Sequence, residues 1–251
     1  MAGRVERSQA LLYARDLKAL YGAARAREND LAQAYRRLQS AYRQSLRYAR
    51  DLNTLHTGLQ RAIFQSLLGL ANALEAKDFY TRGHSERVSR LARRLALARG
   101  FSLPSAHVVA QAGLLHDLGK IGVPESVLTK PRSLTEAERQ LMQQHPVIGA
   151  QIVAPLDFFA AGALIIRHHH ERMDGSGYPD RLAGEAIPLG ARIVGAADVY
   201  DALTSDRPYR QRLPHTEAVR VLEAAAGHTL DATLVLTLCA LLLDGSPKPA
   251  F

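Results

Sequence analysis

The first 63 residues carry a seven-residue repeat of apolar side chains. Thirteen of the sixteen repeat positions from 10 to 63 are apolar or aromatic, with leucines such as Leu31 and Leu38 alternating with residues such as Tyr35. The stretch 4–76 contains no proline, so a helix can run through it without interruption. A repeat sustained beyond four heptads favours a two-stranded coiled coil. One long helix packed on its own domain is the alternative.

After residue 63 the apolar positions keep the helical period, and no run shows the two-residue alternation of a half-buried strand. Ser102 with Pro104, and a capping box of Thr135 and Glu138, mark helix starts. These signals predict an all-α fold, a helical bundle preceded by the long N-terminal helix. The predicted helices span 63–77, 136–143, 158–168, 191–202, 214–226 and 231–243, with others ending at 100, at 117 and before 155, and a long irregular segment spans 171–189.

The chain has 251 residues, 47% of them apolar, and a net charge of +8. Residues 1–60 hold eleven basic residues against five acidic ones, a balance of +6. A basic helix can bind nucleic acid, but a basic arm is more often a solvated helix face, and the sequence shows no base-reading motif. Nucleic-acid binding is therefore not favoured.

The single cysteine, Cys239, lies in an apolar run and excludes a disulfide framework. This cysteine usage fits a reducing, cytoplasmic environment. The longest apolar segment, 234–243, is shorter than the roughly 20 residues that a membrane-spanning helix requires. We therefore expect no membrane segment.

Histidines and aspartates end or interrupt several of the predicted apolar helices. The stretch GLLHDLGK places His116 beside Asp117, and AADVYDA places Asp198 inside an apolar helix. Buried imidazoles and carboxylates need a partner, and both are good metal ligands. Without a thiolate, the set suits iron, manganese or zinc. Each residue alone also fits a plain structural role, such as a helix cap for His84 or an arginine partner for Asp198. The set comprises His84, His116, Asp117, His145, His168, His169, His170 and Asp198.

Two motifs give the chain a resemblance to a known family. HDLGK, residues 116–120, and HHERMDGSGYP, residues 169–179, resemble the signature of the HD-GYP family, which are cyclic di-GMP phosphodiesterases on the all-α HD-domain fold. The N-terminal part resembles a signalling helix that joins a sensor to its output domain. The implied division is an N-terminal arm over 1–61, a catalytic domain over 62–245 and a flexible tail over 246–251.

The resemblance implies two divalent metal ions, iron or manganese, bridged by Asp117. Lys120 would act with Asp117 in catalysis, close to the attacking water or the phosphate. Some members have a glutamate four residues before the first ligand histidine, where this chain has Tyr80, so we expect two ions rather than three. His168 is assigned no metal. The implied metal ligands are His84, His116, Asp117, His145, His169, His170 and Asp198, and the implied substrate-binding residues are Lys120, Gly177, Tyr178, Pro179, Arg207 and Arg210.

The implied activity is metal-dependent hydrolysis of cyclic di-GMP to the linear pGpG, or on to GMP. Two alternatives stay open at this point. One is a catalytically silent receptor that binds cyclic di-GMP and signals through protein contacts, and the other is a phosphodiesterase for another cyclic dinucleotide such as cyclic GMP-AMP. The implied partners are a second copy of the chain, paired through the N-terminal helix, and a GGDEF-type or sensor protein. The implied setting is the bacterial cytoplasm.

Overall fold

The computed structural model describes residues 2–77, 83–130, 132–206 and 211–243, and its regular elements in those ranges are helices. The predicted all-α fold is confirmed. The tail predicted at 246–251 lies outside these residues. The α-helices are α1 (Ala2–Lys77), α2 (His84–Ala98), α3 (Leu103–Leu115), α4 (Glu125–Leu128), α5 (Glu136–Met142), α6 (His145–Val153), α7 (Ala160–His168), α8 (Leu189–Thr204), α9 (His215–Ala225) and α10 (Ala232–Leu243), and short 3₁₀ turns occupy Leu118–Gly122, Asp157–Phe159 and Gly184–Ala186.

Two units make up the chain, residues 1–62 and residues 63–251. The first unit is the N-terminal part of α1, whose residues from 7 to 59 are all exposed. Leu31 is 72% exposed and Tyr35 is 61% exposed. The predicted long N-terminal helix is therefore confirmed, whereas its pairing with another helix stays a prediction.

Capping signals in the sequence mark the starts of two helices. The Ser102 hydroxyl accepts a hydrogen bond from the backbone N–H of Ser105 at the start of α3. Thr135 and Glu138 form the predicted capping box of α5, in which the Glu138 carboxylate accepts from the Thr135 backbone N–H at 2.8 Å. The structure adds α4 and the Leu118–Gly122 turn, which are too short to leave a periodic pattern in the sequence.

Helix α10 contains the apolar run that includes Cys239. Leu234, Val235 and Leu238 are buried there together with Cys239, whose thiol is free. Among the described residues, no helix combines the length and the apolar character needed to cross a bilayer. The apolar run thus contributes to the core of the second unit.

Helix α2 lies at the centre of the second unit, packed against α3 and α8. Val88, Ala92 and Leu95 follow the spacing of one helix face and are fully buried. Helix α6 packs against α7 and against the Leu118–Gly122 turn, and α7 packs against α3 and α8. This packing brings the start of α2, the ends of α3 and α7, the start of α6 and the middle of α8 to one place.

Gly119 allows the Leu118–Gly122 turn to lie directly against α6. A Cβ atom at this position would collide with the backbone carbonyl of His145 and with the backbone nitrogen of Gly149. Backbone atoms cannot swing aside as a flexible side chain can, so only glycine fits. The close approach keeps Asp117 next to His145, with Oδ1 of the aspartate 3.5 Å from Nε2 of the histidine.

Candidate metal centre

Seven histidine and aspartate side chains converge where α2, α3, α6, α7 and α8 meet. Their donor atoms form three overlapping groups, and within each group the atoms lie within 4.8 Å of one another. The structure thus brings together all seven of the predicted ligands. One group is His145, His169 and His170, a second is His84, His116 and Asp198, and the third, His116, Asp117 and His169, connects them.

Asp117 lies between the first two groups and directs one carboxylate oxygen towards each. Oδ1 is 3.5 Å from Nε2 of His145, whereas Oδ2 is 3.6 Å from Nε2 of His116 and 3.9 Å from Nε2 of His84. The Lys120 ammonium donates a hydrogen bond to Oδ2 at 2.6 Å. Burial alone would raise the pKa of Asp117, but Lys120 and the nearby histidines outweigh burial and hold that pKa well below its usual range. Asp117 is therefore an ionised carboxylate.

Backbone carbonyls fix the rings of three histidines in the cluster. In each ring Nδ1–H donates to the carbonyl of the residue three positions earlier, at 2.8 Å for His116 and at 2.7 Å for both His145 and His169. A carbonyl only accepts, so Nδ1 carries the proton and, in the neutral ring, Nε2 carries the lone pair. The Nε2 atoms are the ones that meet in the centre.

Two of these rings present lone pairs to each other. Nε2 of His145 lies 3.4 Å from Nε2 of His169. Burial lowers the pKa of His145 to about 4 and the pKa of His169 well below its usual range, so both rings are neutral at pH 7. Burial likewise lowers the pKa of His170. Two Nε2 lone pairs that face each other repel, and a cation bound between them would remove this repulsion. This donor set, imidazole and carboxylate without thiolate, fits a divalent metal ion.

His84 differs from those rings because a side chain holds its Nδ1. The Asp201 carboxylate contacts this nitrogen at 2.7 Å and also accepts hydrogen bonds from Arg87 at 2.6 and 3.0 Å. Burial would lower the pKa of His84, but the Asp201 hydrogen bond and the charges of Asp198 and Asp117 outweigh it and raise that pKa. The sequence prediction missed Asp201 and Arg87. The spacing could have indicated Asp201, because it follows Asp198 by three residues and therefore lies on the same face of the helix.

The segment between α7 and α8 is irregular, as predicted, and two acidic residues fix it. The Glu171 carboxylate, 6% exposed, accepts hydrogen bonds from the backbone N–H groups of Asp180 and Leu182. The Asp180 carboxylate accepts two hydrogen bonds from Arg167, both at 2.7 Å, and a third from His168 at 2.9 Å. Nε2 of His168 therefore anchors this loop and does not belong to the donor cluster.

An open cleft of about 330 Å³ borders the cluster at His170. Gly177 and Tyr178, two of the three loop residues predicted to bind substrate, line it. The Tyr178 ring lies against the His170 ring, with the centroids 4.8 Å apart. Arg172 and Gln143 also line the cleft, and the sequence prediction did not include them.

Of the remaining predicted residues, one lies beside the cleft and the others fall outside the described residues. Pro179 follows Tyr178 through a cis peptide bond in the loop beside the cleft. Arg207 and Arg210 lie outside the described residues. Tyr80, at the position of the glutamate that recruits a third metal in some members, also lies outside them.

A sequence profile of the HD domain matches residues 69–234, about two thirds of the chain. The chain belongs to the HD domain family. The matched HD domain contains all seven clustered residues, from His84 to Asp198. The family membership predicted from the HDLGK and HHERMDGSGYP motifs is confirmed.

Similar proteins refine the HD domain assignment. The chain is 41% identical over 213 residues to the cyclic di-GMP phosphodiesterase response regulator RpfG of Xanthomonas campestris, covering 84% of this chain and 56% of that protein. It is 33% identical over 210 residues to 3'3'-cGAMP-specific phosphodiesterase 2 of Vibrio cholerae, covering 83% and 40%. The solved structure of Bd1817, a HDG"Y"P protein from Bdellovibrio bacteriovorus, matches with a TM-score of 0.53 at 26% identity, over 63% of this chain and 51% of that one.

This HD domain chain spans about half the length of the curated relatives it matches. By their names, both relatives act on cyclic dinucleotides. The comparisons therefore establish the family and the HD fold of the second unit, and they indicate the class of reaction to test.

Proposed function

We propose that this protein is a metal-dependent phosphodiesterase that hydrolyses cyclic di-GMP. One observation carries the proposal: two groups of donors face each other across Asp117, which directs one oxygen to each. When two divalent ions are bound, they supply Lewis acidity at a phosphoryl oxygen and make water a stronger nucleophile near neutral pH. The names of both relatives support a cyclic dinucleotide as substrate.

Iron or manganese is the proposed metal, with two ions per chain. The neutral rings of His145, His169 and His170 keep their lone pairs available at pH 7 without first losing a proton. Asp117 is the proposed bridge because it directs one carboxylate oxygen towards each of the two groups. The proposed ligands are the seven clustered residues His84, His116, Asp117, His145, His169, His170 and Asp198.

Lys120 provides positive charge beside the proposed metal ligands. Its ammonium lies 2.6 Å from Oδ2 of Asp117, and its side chain is 20% exposed, so a phosphate oxygen can approach it from the solvent side. A fixed ammonium at this place stabilises the charge that develops on the phosphorane-like transition state. Asp117 holds the ammonium in position before substrate binds.

The cleft beside His170 gives room for the part of the substrate beyond the phosphate under attack. Its volume of about 330 Å³ lies at the lower end of small-molecule sites. Tyr178 offers an aromatic ring for stacking against a base. Arg172 offers a planar guanidinium, which can bind a phosphate or a guanine edge with paired hydrogen bonds.

Cyclic GMP-AMP is the second candidate substrate, because one relative is named as specific for 3'3'-cGAMP. A catalytically silent receptor has less support, since each of the seven expected ligands is present in the cluster. The product of cyclic di-GMP hydrolysis is proposed to be pGpG, with GMP as the alternative.

We also propose that residues 10–63 pair with the same stretch of a second copy. Leu52 is 69% exposed and Leu59 is 60% exposed, and both lie on the repeat. A continuous apolar stripe on one helix is typical of a surface that packs against another helix. A GGDEF-type or sensor protein is the alternative partner for this stripe.

The test uses the purified chain, loaded under anaerobic conditions with Fe²⁺ or with Mn²⁺ and given each dinucleotide separately. We expect chromatography to show conversion of cyclic di-GMP to pGpG and loss of conversion after chelation. Faster turnover of cyclic GMP-AMP would assign the second substrate. Protein that holds two ions and turns over neither dinucleotide would contradict the proposed activity and favour the receptor.

A further inference from the structure

The ring of His84 is fixed in a different way from the other rings of the cluster. His116, His145 and His169 each donate Nδ1–H to the carbonyl three residues earlier. His84 is the first residue of α2, so no preceding turn of its own helix offers such a carbonyl. Its Nδ1 contacts the Asp201 carboxylate at 2.7 Å instead.

Two carboxylates of α8 bracket the His84 imidazole. Asp201 contacts Nδ1 at 2.7 Å, and Oδ1 of Asp198 lies 3.4 Å from Nε2. Nε2 also lies 3.3 Å from Nε2 of His116. Nε2 is therefore the atom that His84 presents to the donor cluster, and Nδ1 is the atom turned away from it.

Asp201 is itself held on several sides. Nε–H of Arg87 donates to Oδ1 at 2.6 Å and Nη2 donates to Oδ2 at 3.0 Å, and the Ser205 hydroxyl donates to Oδ2 at 3.3 Å. Asp201 is 5% exposed. Arg87 comes three residues after His84 on α2, so the helix that carries the histidine also aligns the carboxylate beside it.

We infer that Asp201, aligned by Arg87, is a positioning residue that sets the tautomer and the ring orientation of His84 for metal binding. This inference rests on the proposed metal centre. A carboxylate paired with a guanidinium accepts hydrogen bonds only, so the proton of neutral His84 stays on Nδ1 and the lone pair stays on Nε2. Loss of such an outer partner typically lowers metal affinity by about 10- to 100-fold.

The variant Asp201→Asn tests the tautomer directly. An amide has the shape of the carboxylate but can donate from its NH₂ group to Nδ1, which moves the imidazole proton to Nε2 and removes the donor lone pair. In Mn²⁺ titrations of metal-free protein by calorimetry, we expect the dissociation constant of one ion to rise about 10- to 100-fold. The second ion should be affected less.

A second variant and a matched control distinguish a specific loss of metal affinity from misfolding. Arg87→Gln leaves the Asp201 carboxylate in place but removes its alignment, so it should raise the same dissociation constant by a smaller factor. Asp231 is paired with Arg192 at 2.7 Å, has a side chain 12% exposed, and binds no histidine in the described chain. Asp231→Asn should therefore leave Mn²⁺ affinity unchanged, and circular dichroism checks that each variant is folded.

A double-mutant cycle then separates positioning from a general structural effect. If Asp201 acts through His84, adding Asp201→Asn to a His84→Ala background should change the Mn²⁺ dissociation constant less than about twofold. Independent, additive losses would overturn the inference, as would wild-type affinity in Asp201→Asn. Failure of the wild-type protein to bind Mn²⁺ would instead overturn the proposed metal centre itself. The two failures are thereby distinguished.

Discussion

The N-terminal helix and the donor cluster depart from ordinary solvation in opposite directions. Along residues 7–59 of α1, leucines and tyrosines face solvent, with Leu31 at 72% exposure. Around Asp117, polar groups that water normally hydrates are buried or half-buried, and His116 and His169 are each 1% exposed. Exposed large apolar surface and buried polar groups are the two deviations that carry information about partners.

The two deviations need different partners. Exposed apolar area is removed from water by any complementary apolar surface, because the hydrophobic effect has no direction. Buried lone pairs and a half-buried carboxylate need a charge or a donor at a defined point. The helix therefore specifies a pattern of association, whereas the cluster specifies where individual charges and donors must lie.

Removing the negative charge at the centre of the cluster should have the largest effect. Asp117→Asn keeps the shape of the side chain but loses the anionic oxygens directed at both donor groups, so we expect kcat for cyclic di-GMP to fall by roughly 10³-fold or more. Metal content, measured by mass spectrometry, should fall as well. Asp157→Asn, at an exposed position, is the control. Full activity in Asp117→Asn would exclude the bridging role.

Adding a single methyl group should change the free energy of unfolding in opposite directions in the two regions. In Gly119→Ala the new Cβ meets the His145 carbonyl, and we expect the free energy of unfolding to drop by about 3 kcal/mol. In Gly58→Ala no atom lies within 4 Å of the new Cβ, and removing a glycine from a helix interior should stabilise by about 0.5–1 kcal/mol.

Urea denaturation followed by circular dichroism measures both changes. A shift of both free energies of unfolding in the same direction would contradict this expectation. Metal titration of Gly119→Ala adds a second reading, since displacement of the turn should also separate Asp117 from His145.

The exposed stripe can be weakened without touching the cluster. Leu38→Gln should destabilise the proposed dimer by about 2 kcal/mol for each leucine that is no longer buried. Ser40→Gln introduces the same side chain off the repeat and should leave association unchanged. Light scattering across a concentration series gives the mass in each case, and equal dissociation constants for the two variants would show that the stripe is not the contact.

Acid should destabilise the metal-free cluster by a smaller and graded amount. Burial lowers the pKa of His145 to about 4, from an ordinary value of 6.5, so between these values the unfolded chain holds a proton that the folded chain lacks. The free energy of unfolding should therefore rise with pH over that window, by at most ~1.4 kcal/mol per pH unit for this residue, and level off above it.

His169 and His170 act in the same direction, whereas His84, with its raised pKa, partly opposes them. Denaturation of chelator-treated protein at pH 5, 6 and 7 measures the slope, and His145→Gln should reduce it. A stability that is flat or higher at pH 5 would contradict the expected sign.

Local signals predicted much of the fold, and the resemblance to the HD-GYP family implied the seven residues of the cluster. The capping box at Thr135 and the cap at Ser102 act within four residues, so the sequence alone reveals them. Asp201 and Arg87 escaped prediction because their contact joins residues 114 positions apart and depends on how α2 packs against α8. Gly119 escaped for the same reason, since its neighbour is the backbone of another helix.

The carbonyls that hold His116, His145 and His169 have a consequence for the entropy of metal binding. A free histidine side chain samples several rotamers, and ordering it costs conformational entropy. In this protein the hydrogen bonds at 2.7–2.8 Å immobilise the three rings during folding, before any ion arrives. Metal binding therefore costs little further side-chain entropy at these three rings. Preorganisation of this kind raises the affinity for the metal.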